Sequence, residues 1–101
     1  MHLLLTFDYY ADIIDVPPRV IDDLVYFKNG FYDWLYDKSN HHAYWISYKG
    51  EHDGSQDAVM YGSEAFLEWL NTYALAEGET AALVTGDLDE WDDVDLPSMW
   101  F

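Results

Sequence analysis

Residues 43–78, AYWISYKGEHDGSQDAVMYGSEAFLEWLNTYALAEG, decide the fold class. Residues 43–49 are rich in aromatic and β-branched side chains, which suit a pleated, half-buried surface, and read as a strand. Residues 50–56 are polar and turn-forming, and residues 58–61 read as a second strand, so a hairpin is expected. Gly62-Ser63 then introduces a helix, with Ser63 as its N-cap. Phe66, Leu67, Leu70, Tyr73 and Ala74 recur at helical spacing, the stripe a surface helix buries against a sheet, and Gly78 is a natural stop. A hairpin followed by an amphipathic helix makes the chain α+β.

Outward toward the N-terminus, residues 3–7 form a short apolar run that reads as a buried strand. Asp15 followed by Val16-Pro17-Pro18 looks like a helix start, with Asp15 as N-cap and proline in the first turn. Val20, Ile21, Leu24 and Val25 recur at helical spacing up to a stop at Asn29-Gly30. A second helical piece carries Phe31, Trp34 and Leu35 inward and ends at Lys38-Ser39-Asn40. Toward the C-terminus, residues 80–85 are a last strand, followed by Gly86 and the acidic run DLDEWDDVDL, residues 87–96. The expected order is β-α-β-β-α-β, that of ferredoxin-like domains, with helices packed on an antiparallel sheet. Its 101 residues make one domain, 1–101, with an acidic C-terminal segment at 87–101.

Charge dominates the composition. Twenty Asp and Glu face four Lys and Arg, a formal net charge of −16. High charge alone suggests disorder, but half the residues are hydrophobic and 19% are aromatic, so the chain can bury enough surface to fold. The excess is well above the magnitude of roughly 2 to 8 that keeps a small domain soluble, and it repels itself. Arg19, Lys28, Lys38 and Lys49 all precede residue 50; from there onward thirteen acids have no Lys or Arg among them. Direct nucleic-acid binding is therefore not expected, because it needs cations to replace phosphate counterions.

The chain has no cysteine, so it has neither a disulfide framework nor thiolate chemistry. The start MHLLLTFDYY has too short an apolar run and no basic residues for a signal peptide, and no stretch nears the ~20 apolar residues of a membrane span. A cytoplasmic location is the expectation by elimination.

Metal ligands gather only at His41-His42 and Glu51-His52-Asp53. Adjacent histidines on a strand point to opposite faces, so they read as surface residues around the hairpin, and no metal or cofactor is expected. Asp87, Asp89, Asp92, Asp93 and Asp95 invite a calcium reading, but Trp91 and Asp92 stand where an EF-hand loop needs an acid and a glycine. No nucleophile–base pair, phosphate-cradling glycine loop or nucleophile elbow is present, so no enzyme activity and no catalytic residue are expected.

Trp34, Trp45 and Trp69 sit in apolar patterns and read as core. Trp91, Trp100 and Phe101 lie in or beyond the acidic segment, where a ring flanked by carboxylates resembles an interface anchor. The other reading is that Leu88, Trp91 and Val94 pack one helical turn back onto the domain.

Asp33 and Asp37 are four apart, as are Glu64 and Glu68. Like charges at that spacing cost a helix roughly 0.2–0.5 kcal/mol, and stability alone would set a lysine opposite. Carboxylates four apart on a helix are about 6 Å from each other, close to the spacing of neighbouring phosphates. An acidic domain can thus stand in for a duplex on a basic protein surface. The expected partner-binding residues are Glu64, Glu68, Asp87, Asp89, Glu90, Trp91, Asp92, Asp93 and Asp95.

In size, acidity, lack of cysteine and absence of known motifs the chain resembles the small phage-encoded inhibitors, the anti-CRISPR and anti-restriction DNA mimics. The resemblance is one of type and carries over no functional residue. It implies an inhibitor that blocks the DNA-binding surface of a CRISPR effector nuclease such as Cas9. An immunity protein or another acidic interaction module for a basic partner, and a housekeeping domain of a halophile, fit the same composition.

Overall fold

The computed structural model describes residues 1–37, 39–40, 42–49, 55–88 and 95–101. It is a small α+β domain. The elements run β1 His2–Thr6, β2 Ala11–Asp15, α1 Pro18–Asp22, α2 Leu24–Leu35, β3 Trp45–Lys49, β4 Ser55–Val59, α3 Ser63–Trp69, β5 Ala82–Leu88 and β6 Ser98–Trp100. A π-helical turn, Leu70–Ala74, continues α3. Strands β5-β2-β1-β6 form one sheet in that order, antiparallel except for the parallel β1–β6 pair. The hairpin β3-β4 is a separate two-stranded sheet, in register from Trp45 opposite Val59 to Lys49 opposite Ser55.

The element order corrects the ferredoxin-like expectation. Residues 11–15 are a strand, hydrogen-bonded to β1 from His2–Asp15 to Thr6–Ala11, and β6 adds a further strand. The hairpin turn between β1 and β2 is Phe7–Tyr10, closed by the Phe7 N–H donating to the Tyr10 carbonyl at 2.9 Å. It contains neither glycine nor asparagine, the residues that usually announce a tight hairpin. Asp15 consequently ends β2, and the N-cap of α1 is Pro17, with Pro18 as the first helical residue.

Helix α2 also runs through Asn29-Gly30, where the sequence suggests a stop. A Cβ at Gly30 would lie 2.9 Å from Cζ2 and 3.1 Å from Cη2 of Trp69. The glycine is there to let the indole of α3 lie on α2, and the packing outweighs the ~1 kcal/mol helix penalty of glycine. At the other end, Tyr36 caps α2 and Asp37 lies beyond it, its carboxylate accepting from the Ser39 N–H and hydroxyl at 2.9 and 2.7 Å. Asp33 and Asp37 are therefore not two acids on one helix; Asp37 closes the turn.

The N-cap of α3 is Gly62 rather than Ser63. Ser63 is the first helical residue and is buried, its hydroxyl donating to the carboxylate of Asp12, which is itself buried in β2. The helix N-terminus is a favourable place for that charge. The core joins Leu3, Leu5, Ile14 and Met99 of the sheet to Val20, Phe27, Phe31, Leu35, Phe66, Trp69 and Leu70 of the helices. Phe31 is its centre, edge-on to Phe66, Phe101 and Tyr61 at 5.3, 5.6 and 5.7 Å between ring centroids. Among the described residues no helix is long and apolar enough to cross a membrane.

Candidate functional site

The π-helical turn positions the surface of interest. Its closing bond runs from the Leu75 N–H to the Leu70 carbonyl, five residues back, at 2.9 Å. The wider turn takes Tyr73 out of line with Phe66 and Leu70, so Tyr73 leaves the predicted apolar stripe and is 65% exposed, while Ala74 still packs on the core. Asn71 fastens the turn to the start of β5, its side-chain amide exchanging two hydrogen bonds with the backbone of Ala81 at 2.8 and 2.9 Å.

Tyr73 stands between two clefts. One, of about 240 Å³, is lined by Trp34, Asn40, His42, Glu68, Thr72 and Tyr73. The other, of about 430 Å³, has Tyr26, Asp33, Trp69 and Tyr73 among its walls. A third, of about 370 Å³, begins at Tyr44 and Glu64, beside the first. Burial, and then the carboxylates of Glu68 and Glu64, push the Tyr44 phenol above its usual range, which puts that ring against both acids. Between them the three clefts are lined by the acids Glu64, Glu68 and Asp33 and by the rings of Tyr44, Trp34, Tyr73 and Tyr26.

Asn40 and His42 form a loop braced by its own side chains. Asn40 donates its side-chain amide to the Trp34 carbonyl at 2.9 Å, and its own carbonyl accepts the Trp45 indole N–H at 3.0 Å. His42 places Nε2 2.8 Å from the Leu35 carbonyl, and Nδ1 accepts the Tyr44 N–H at 3.2 Å, so Nε2 carries the hydrogen. Its ring stacks on Trp45 at 5.4 Å and lies 4.7 Å from Trp34. Of the tryptophans read as core, Trp69 is buried, whereas Trp34 and Trp45 are half-buried around this loop. The aromatic pattern alone does not separate the two cases.

The described cations do little to neutralise the acids. Arg19 is held by Glu79 (2.8–3.1 Å) and by the Ala74 carbonyl (2.9 Å), and Lys28 lies over the Tyr32 ring at 5.8 Å. Arg19–Glu79 is the only Lys or Arg ion pair among the described residues. Glu79 is held below the usual carboxylate range first by Arg19 and then by the Ala76 N–H.

Of the predicted partner-binding residues, Glu64 and Glu68 are exposed on α3 and line clefts that also hold aromatic rings. Asp95 is exposed ahead of β6, and Asp87 lies in β5. Asp89, Glu90, Trp91, Asp92 and Asp93 lie outside the described residues, as do His41, Glu51, His52 and Asp53. Leu88 pairs with Ala11 as the end of β5, so it does not open a helical turn. Trp100 is 60% exposed, while Phe101 stacks on Phe7 at 5.3 Å and packs on the core, so only the former has the exposure of an anchor. No three histidine or carboxylate side chains converge as metal ligands among the described residues.

The chain matches no family model, no curated protein and no solved structure.

Proposed function

We propose that this domain is an inhibitor that binds the basic, nucleic-acid-binding surface of a CRISPR effector nuclease by imitating DNA, and that it does so without catalysis or cofactor. One observation carries the reading: exposed carboxylates that have no Lys or Arg partner among the described residues line the same clefts as aromatic side chains on α2 and α3. Carboxylates stand in for phosphates, and the rings offer the faces that bases offer to stacking residues. Such a surface attracts a cationic channel from a distance and suits electrostatic steering of the encounter.

The acids of the C-terminal half would share the binding energy. Exposed ion pairs contribute under ~1 kcal/mol each, and those desolvated in a channel contribute more. The test replaces Asp89, Asp92 and Asp93 together by Asn, and Glu64 and Glu68 together by Gln, in protein that folds normally. Affinity for a basic nuclease captured from a bacterial lysate is then measured at physiological salt. Losses of orders of magnitude in both variants support mimicry. Full affinity in both would sink mimicry and leave exposed apolar anchors such as Trp100 as the basis of binding.

A further inference from the structure

We infer that the cavity beside Tyr73 is a receptor for a single arginine side chain. The inference rests on the reading above for the existence of a basic partner, and it names the group that partner would insert. At about 240 Å³ the cavity falls below the roughly 300–1,000 Å³ of a cofactor or drug-sized site, so it suits one side chain. Two of its walls are rings: the centroids of Trp34 and Tyr73 are 5.9 Å apart with planes inclined at 47°, which makes a corner instead of a closed stack. His42, 4.7 Å from Trp34, extends the aromatic wall. A cation in that corner lies within the ~6 Å over which ring faces attract positive charge.

The polar lining consists of Glu68, Thr72 and Asn40. Glu68 is acceptor-only when ionised, and the Thr72 hydroxyl can accept. Asn40 commits its Nδ2 to the Trp34 carbonyl, which leaves its amide oxygen for a donor. His42 is occupied at both ring nitrogens and offers the cavity its face. An aromatic corner with a carboxylate and neutral acceptors fits a planar guanidinium, which stacks on rings and donates in its plane; a compact, strongly hydrated ammonium uses the corner less well. Arg19 and Lys28 do not line it: Arg19 is clamped to Glu79 and Lys28 sits on Tyr32.

The experiment titrates labelled protein with the blocked tripeptide acetyl-Gly-Arg-Gly-amide, reading the indole N–H signals by NMR. The expected result is a saturable shift at Trp34 and Trp45, with a dissociation constant of about a millimolar, as befits one contact. The citrulline peptide, of the same shape without charge, should give no shift, and the lysine peptide should bind several-fold more weakly. E68Q and Y73A, both at exposed positions, should each weaken arginine binding about tenfold or more, while E77Q leaves it unchanged. Equal shifts with arginine and lysine, shifts that do not saturate, or indifference to E68Q would overturn the proposal. Tighter binding of a trimethyllysine peptide would also overturn it, in favour of a methylammonium cage. The titration needs no partner protein. A failure here removes the arginine site and leaves the acidic surface standing, whereas full affinity of both acid variants in the partner assay removes mimicry and leaves the site standing.

Discussion

Replacing Gly30 by alanine separates two accounts of this fold that predict opposite signs. Helix propensity alone favours the change: alanine in a helix interior is more stable than glycine by about 0.5–1 kcal/mol. The packing says otherwise. The new methyl would lie 2.9 and 3.1 Å from two carbons of the Trp69 ring, where carbon contacts ordinarily relax to 3.5–4.0 Å. The indole would have to retreat by roughly half an ångström against close-packed neighbours. Away from the cleft it borders, the ring is packed: Trp69 is 8% exposed, with Phe66, Phe31 and Phe27 at 6.0, 6.1 and 6.3 Å between centroids. Overpacking of this kind costs about 1–3 kcal/mol, so the net loss should be about 1–2 kcal/mol. For a domain of this size that lowers Tm by about 4–8 °C per kcal/mol. Thermal and urea unfolding followed by circular dichroism would measure it. A double-mutant cycle with W69F should show strong coupling between the two positions. A G30A protein as stable as the parent, or more so, would refute the placement of Trp69 on α2.

Three further outcomes follow from the same structure. Leu70→Ala, at a fully buried position where α3 meets the π turn, should cost about 2–5 kcal/mol in urea unfolding; an unchanged midpoint would put Leu70 at the surface. Added monovalent salt should raise Tm by screening the self-repulsion of a −16 chain, and a flat or falling Tm between low and moderate salt would mean the acids are compensated within the fold. Glu79→Gln should destabilise at neutral pH, because a carboxylate whose folded pKa is depressed stabilises the fold above its unfolded value. That difference should hold above the ordinary glutamate value of 4.5 and close as the pH falls below it; a gap that is independent of pH would deny the Arg19–Glu79 pair.

Local pattern carried much of the fold. The first strand, β3, the fifth strand and the buried Phe66 and Leu70 were legible, because each rests on periodicity or turn chemistry within a few residues, whereas β4 runs Ser55–Val59, beginning in the stretch read as a turn and stopping short of the expected 60–61. What escaped was decided by distant contacts. Gly30 stays helical because of Trp69, 39 positions later. Asp12 enters a strand and is buried because Ser63 bonds to it, and β6 exists only as a partner of β1. The exposure of Glu64 and Glu68 was readable from their place opposite the apolar stripe. Their neighbours Trp34, Tyr44 and Tyr73 were not, since a ring in an apolar pattern looks the same whether it fills a core or walls a cleft. The π turn that swings Tyr73 outward has no sequence signal of its own in this chain.

Competition with DNA tests the central claim most directly. The protein is bound to the purified basic nuclease captured from lysate, and duplex DNA carrying that enzyme's target is added at rising concentration, at two salt concentrations. Mimicry predicts that the duplex displaces the protein completely, and that its affinity falls steeply as salt rises because it replaces phosphates on the same cations. A ternary complex of nuclease, duplex and protein, with the protein's affinity unchanged by DNA, would contradict it.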